Sequence, residues 1–360
     1  MNGIPFKTYN KMKKTTFLFI TLFVSFSCFA QFGGGSGTEV DPYRIYTKEH
    51  LEELKDSVLL GNAFTGVGFV LMNDITDSLR VSIGINSTPF NGYFNGKDHN
   101  IILAIDGGTN SLFPLLNVDA RIDSLSITGY IFQGTGFCNQ NYGIINSCTN
   151  NLMGGNIYGN KTGICWANYG RIQDCTNNAN LFGYEVAGIC YSNNPADYSS
   201  PLANIINCVN NAIITIDNVI YEGAFGAGIC VFGGGLPDDK GTIIENSINK
   251  GNFILTGNQY VETVAGIISS IGDAKIINCQ NFGNISGKIS NLGGIAGNMM
   301  TCEILNCSNY GNLSGELLVG GIGSFGAGIS MKNCFNSGKI QGVSYYGGIV
   351  YGVESEQDTL

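Results

Sequence analysis

The side chains best suited to chemistry in this sequence are a few aspartates and aromatic rings in its second half. Asp197 and Tyr198 lie in Asn193-Asn194-Pro195-Ala196-Asp197-Tyr198-Ser199-Ser200-Pro201. Asp238 and Asp239 lie in Gly233-Gly234-Gly235-Leu236-Pro237-Asp238-Asp239-Lys240. Brought together, these carboxylates could hold a calcium ion, or act as an acid/base pair beside Lys240. Solvated loop acids are the plainer reading. Trp166 and Tyr191 hold the same place in two Gly-Ile-Cys segments. Outward-facing rings near carboxylates suit a sugar ring, and packing of ring on ring is the alternative.

Other catalytic signatures are missing from the sequence. The histidines are His50 and His99, both near the N-terminal end, and no Ser/His/Asp arrangement, His-Glu-x-x-His or phosphate loop accompanies them. No Cys-x-x-Cys pair offers a zinc site. The expectation is a protein without catalytic machinery. A polysaccharide lyase or glycoside hydrolase using the loop aspartates stays open as the alternative.

What must position these residues is a repeat. The pattern is Gly-Ile, a short variable stretch, then Ile-x-Asn-Cys-x-Asn-x-Gly-x-Ile-x-Gly. Its copies are centred on Cys148, Cys175, Cys208, Ser247, Cys279, Cys307 and Cys334, spaced 27, 33, 39, 32, 28 and 27 residues apart. Such a period means a solenoid. Three residues before each centre stands Ile145, Ile172, Ile205, Ile244, Ile276, Ile304 or Met331, always apolar, and this position should face the core. Two residues after it stands Asn150, Asn177, Asn210, Asn249, Asn281, Asn309 or Asn336. Asn tolerates left-handed backbone, and stacked amides can bond one another up a ladder.

Three short strands per turn without helical periodicity predict an all-β, right-handed parallel β-helix of about eight rungs. The cysteines then stack about 4.8 Å apart with parallel Cβ vectors, which disfavours disulfides and predicts a ladder of buried thiols. Strict alternation would turn those cysteines outward, so the ladder requires a bend just before each one. Thr47 as N-cap, with Leu51, Leu54 and Val58 on one face and Gly61 as the stop, predicts a short helix capping the open N-terminal end. The chain divides into residues 1–30 as signal peptide, 31–37 as a Gly-rich linker, 38–135 as cap and irregular first rungs, and 136–360 as repeats.

The pattern of residues 293–315, Gly-Gly-Ile-Ala-Gly through Ile-Leu-Asn-Cys-Ser-Asn-Tyr-Gly-Asn-Leu-Ser-Gly, resembles the GLUG-motif repeat. Pro89-Phe90-Asn91-Gly92-Tyr93-Phe94-Asn95-Gly96-Lys97-Asp98-His99-Asn100-Ile101 is similar to a lead-in found in such proteins. The resemblance covers most of residues 38–352 and departs at Ser247 and at the long insertions around it. It implies an exported bacterial β-helix of Bacteroidetes type, including the passenger regions of some IgA-protease-like proteins. It carries no fixed catalytic residues.

The start of the chain agrees with export: Lys11, Lys13 and Lys14 precede an apolar run that ends in Cys28-Phe29-Ala30, with cleavage expected after Ala30. That run is too short to span a membrane comfortably, and no second one follows. Residues 1–30 hold four lysines and no acid, so removing them leaves 14 basic against 27 acidic groups, a net charge of −13. Nucleic acid is an unsuitable partner for so acidic a chain. The expectation is a secreted or cell-surface binding or adhesion module for a glycan or a surface protein, with a non-binding spacer as a further alternative. No cofactor is implied beyond the possible calcium ion.

Overall fold

The computed structural model describes residues 32–106, 111–132, 134–153, 161–196, 203–217, 223–235 and 241–353. The expected signal peptide lies outside the described residues, as do Asp197, Tyr198, Asp238, Asp239 and Lys240.

Each turn of the chain lays short strands beside those of the turn before, in parallel register. The tallest sheet has eleven strands, from Tyr43–Ile45 to Ser330–Lys332. A ten-stranded sheet runs from Ile75–Leu79 to Phe335–Asn336, and a nine-stranded one from Phe113–Leu116 to Val350–Val353. After their inward or stacked residues we call them the Ile wall, the Asn wall and the Cys wall. Together they make a right-handed parallel β-helix.

The stack holds eleven strands rather than eight rungs, because the irregular N-terminal part is also in register. Tyr43–Ile45, Gly68–Leu71, Tyr93–Asn95 and Arg121–Asp123 continue the Ile wall without a break. Ten steps of ~4.8 Å make the rod roughly 48 Å tall.

Local backbone chemistry explains how one stretch serves two walls. Ser147, Asp174, Asn207, Asn246, Asn278, Asn306 and Asn333, each just before a repeat centre, have φ of 51–55°. This left-handed residue inverts the strand alternation, and it is the bend the thiol ladder needs. Ile145, Ile172, Ile205, Ile276 and Ile304 therefore point inward, and so do Cys148, Cys175, Cys208, Cys279 and Cys307. Most of the left-handed residues are Asn or Asp, which bear that conformation at least cost.

A regular coil has five short strands instead of three. One coil runs Glu303–Leu305, Ser308–Asn309, Leu313–Gly315, Leu318–Gly320 and Gly323–Ala327. The left-handed residue splits one expected strand in two. The third expected strand doubles back, forming a side lobe whose seven-stranded sheet runs from Lys161–Thr162 to Tyr345–Gly347. The lobe packs two layers around its own core, which includes Val186, Ile214, Val264, Leu292 and Val319.

The N-terminal end is closed twice over. Helix α1 (Lys48–Leu59) replaces the remaining walls of the first coil, burying Leu51, Leu54 and Val58 against Ile75–Leu79. Thr47 has the extended backbone of an N-cap but makes no side-chain bond to the helix amides. Gly61, with φ of 98°, ends the helix. Residues 32–37, read as a linker, pack on the first coil. The Gly33 amide donates to the Arg44 carbonyl and the Gly68 amide to the Gly37 carbonyl, both at 2.8 Å. Phe32 is buried there, its ring centroid 5.0 Å from Tyr43 and 5.2 Å from Phe69.

Two outcomes test this packing. Ile304→Asp puts a carboxylate into a fully enclosed position and should cost at least about 4 kcal/mol, read as a lower urea midpoint; an unchanged midpoint would refute the inward assignment. All eleven cysteines from Cys138 to Cys334 are unpaired. Thiol titration of the chain from Gln31 in denaturant should therefore count eleven free sulfhydryls, while the folded chain exposes only the half-buried Cys334 to slow reaction.

Candidate ligand-binding site

A binding surface on a solenoid needs a rigid frame, and here the frame is amide-based. Asn150 Nδ2 donates to Asn177 Oδ1 at 3.0 Å, and the relay continues through Asn210, Asn249, Asn281 and Asn309 to Asn336 at 2.7–2.9 Å. The second amide hydrogen of Asn177, Asn210, Asn249, Asn281, Asn309 and Asn336 goes to the carbonyl two residues onward.

A second frame, missed in the sequence, holds the Cys wall. Cys138, Cys165, Cys190 and Cys230 are in register and buried. Three residues beyond the first three of them, Asn141 Nδ2 donates to Asn168 Oδ1 and Asn168 Nδ2 to Asn193 Oδ1, both at 2.7 Å. The signal was present in Gly-Ile-Cys at 163–165, 188–190 and 228–230, with Asn three residues later in the first two. Burial pushes the Cys148, Cys165, Cys208 and Cys230 thiols well above their ordinary range, which makes them poor nucleophiles.

Trp166 and Tyr191 stand on the outer face of the Cys wall with ring centroids 3.9 Å apart and planes 10° from parallel. No sugar ring fits between them. The edge of Phe232 meets Tyr191 at 5.2 Å and 84°, and Phe232 in turn packs on Phe225 from the side lobe. Burial first, then the Glu185 carboxylate, raises the Tyr191 hydroxyl far above its usual value. These rings fill the corner between lobe and wall. The Trp166 face turned toward the preceding coil is the one these contacts leave over.

The corner leading from the Cys wall to the Ile wall is different in character. On successive coils it carries the stacked pair Tyr142 and Tyr169, with centroids 4.6 Å apart and planes at 21°. Next come the two long insertions, between Asn193 and Asn204 and between Gly234 and Ile243. Below them lies a groove of about 470 Å³ lined by Ile243, Asp273, Lys275, Thr301, Glu303 and Ser330. Lys275 Nζ is 2.7 Å from Glu303 Oε2, and this ammonium holds the Glu303 carboxyl below its ordinary range. Asp273 and Thr301 both have φ of 47°, turning tightly enough to leave the groove open. Carboxylates, an ammonium and hydroxyls over an apolar floor of Ile243 and Ala274 suit a polyhydroxylated ligand.

The expected aspartates fall on the insertions outside the described residues. Among the described residues no cluster of three His, Cys, Asp or Glu side chains could hold a metal ion. His99 Nδ1 lies 3.1 Å from Asp74 Oδ1, which also accepts from the Asn100 amide at 3.0 Å. That contact ties neighbouring coils together. No helix among the described residues is long and apolar enough to cross a membrane.

Trp166 is the sole tryptophan and reports on its own stack. Tyr191→Ala should shift its fluorescence to longer wavelength and cost about 2–3 kcal/mol; an unmoved spectrum would refute the packing role.

No protein-family model matches the chain. Over 135 residues it is 30% identical to a "putative Gly-rich membrane protein" of Evansella cellulosilytica. That match covers 32% of this chain and 15% of the relative, so the chain spans a small part of that protein. Among solved structures, a "putative immunoglobulin A1 protease" from Bacteroides ovatus aligns with a TM-score of 0.49 and 18% identity, covering 89% of this chain and 87% of the other.

Proposed function

We propose that the protein is a secreted or surface-displayed β-helix that binds glycan along the corner between its Cys and Ile walls. The observation that carries this reading is that this one corner gathers the stacked tyrosines, both long insertions and the 470 Å³ polar groove. Insertions in a solenoid tend to cluster on its binding side. The groove volume is that of a small-ligand site. Its mixture of Asp273, Glu303, Lys275, Thr301 and Ser330 supplies both donors and acceptors to sugar hydroxyls, as a purely apolar or singly charged surface would not. Export is part of the proposal and rests on the basic and then apolar first thirty residues together with the GLUG-like repeat.

The test is affinity electrophoresis of the chain from Gln31 through native gels cast with different polysaccharides, stained for protein and for polymer. Retardation is expected in at least one gel. Glu303→Gln and Lys275→Met should each weaken it by about three- to tenfold, corresponding to one lost polar contact. Free migration in every gel would overturn glycan binding and leave a surface-protein ligand or a spacer. A cleared zone around the band would instead show polymer cleavage.

A further inference from the structure

The strand Lys161–Thr162 opens the seven-stranded sheet of the side lobe. Lys161 is in register with Val186, and through it with Gly226, Val264, Leu292 and Val319. It therefore occupies a column that farther down is mostly buried aliphatic core. A lysine heading such a column could simply lay its stem over the end of the core and leave its amine in water. Here the burial goes further than that, since Lys161 as a whole is only 7% exposed and its amine keeps no more than a narrow opening to solvent. Among the described residues its amine has no ion-pair or hydrogen-bond partner. Burial alone acts on it, lowering its pKa to about 8. The adjacent Thr162 turns to the other face of the strand, in register with Ala187 and Ala227, and its hydroxyl is buried there without a partner.

Both residues line a half-open cavity at the head of the lobe, where the coil above contributes no lobe strand among the described residues. Its apolar walls include Ile131, Leu152, Leu181 and Phe182. The cavity has a volume of about 40 Å³, against the roughly 10–15 Å³ that one water requires. That is room for a planar acid group with its first carbons and too little for a sugar ring. A cation buried without a counter-charge is costly, and an anion entering the cavity relieves that cost.

We infer that this cavity is a carboxylate site, in which Lys161 supplies the charge and the apolar walls the seat for the attached carbon. The acid group belongs either to a small free carboxylate or to an acidic sugar residue whose ring stays outside. The site is separate from the groove at Asp273 and Glu303, and it does not rest on glycan binding there.

The sign of the pH dependence follows from the lowered amine. Between about pH 8 and the ordinary lysine value near 10.4, the unfolded chain holds a proton that the folded chain has released. The folded state therefore loses stability as pH falls through that window, and a bound carboxylate restores it only where the amine is charged.

Thermal unfolding of the chain from Gln31 tests the site, using sodium acetate, sodium glucuronate and glucose at matched ionic strength. At pH 7, acetate or glucuronate should raise the Tm saturably, and glucose should not. Acetate acting alone would identify a small free acid as the ligand; glucuronate acting more strongly would identify an acidic sugar. Apparent affinity should fall about thirtyfold between pH 7 and pH 9.5, following the charged fraction of an amine with pKa about 8. Lys161→Met, whose side chain suits an aliphatic column, should abolish the response. No response in the wild type, an equal response to sodium chloride, or an equal response in Lys161→Met would overturn the proposal. The pH comparison on the wild type decides the matter even if the variant fails to fold.

Discussion

The structure depends most on the buried amide ladder that begins at Asn150 and ends at Asn336. Each amide bonds the next coil, and those from Asn177 onward also bond their own chain two residues on. A primary amide is one of the few side chains with both donors and an acceptor, so it can be satisfied in both directions along a stack. Once buried, its bonds are expensive to lose. The neighbours are then constrained. At Gly294, a Cβ would collide with the Gly321 carbonyl and the Asn309 amide, which is why the next wall begins with Gly-Ile. The residue two past the Asn is small from the second copy on, as Ala179, Ala212, Gly251, Gly283, Gly311 and Gly338, and a Cβ at the four glycines would collide with a carbonyl of the preceding coil.

The thiol column answers a related need. The left-handed residue before each centre leaves the carbonyl preceding it turned toward the core. Each sulfhydryl donates back to that carbonyl, Cys148 to Asn146 at 3.2 Å and Cys175 to Gln173 at 3.1 Å. Ser247, the exception in the repeat, makes the same bond to Glu245 at 3.0 Å. The position therefore requires a short side chain with one hydrogen to donate. Cys adds apolar bulk to the core, and Ser does the bonding alone. Sulfur chemistry as such is not what the repeat uses.

These relations show why the architecture could be read from residues and the surface could not. Seven copies of Ile-x-Asn-Cys-x-Asn expose which positions tolerate change, and an invariant Asn among variable neighbours implies a stacked amide. The side lobe left no such mark. In Leu313-Ser314-Gly315-Glu316-Leu317-Leu318-Val319-Gly320, the reversal is made at two residues, the half-buried Glu316 and the exposed Leu317, with no Pro, Asn or Asp to mark it. The Gly-rich start misled for a similar reason: glycines that permit a tether also permit Gly34 and Gly35, with φ of 102° and 95°, to fold onto the first coil. The groove was illegible because Asp273, Thr301 and Ser330 come from three coils and meet only through the stack. Trp166 and Tyr191 were found at their correct places, but their mutual distance, which decides between packing and ligand stacking, is a property of the wall.

Two corners of the rod are thus held under different constraints. Where the Ile wall meets the Asn wall, the left-handed residue, the thiol and the amide ladder leave no slack: every coil crosses this corner in the same number of residues, from Ile145–Cys148 to Met331–Cys334. Where the Cys wall returns to the Ile wall, the second amide ladder reaches only Asn193, and Gly233 stands at the same register in the next coil. Among the described residues the amide relay does not continue below that point, where Lys275 and Glu303 pair across successive coils instead. It is there that the crossing lengthens, in the insertions around 197–202 and 236–240, and there that the groove opens. A corner released from its ladder can change length and composition without unstacking the coils, because the other corner keeps them in register. The proposed binding site therefore lies where the frame stops being continuous.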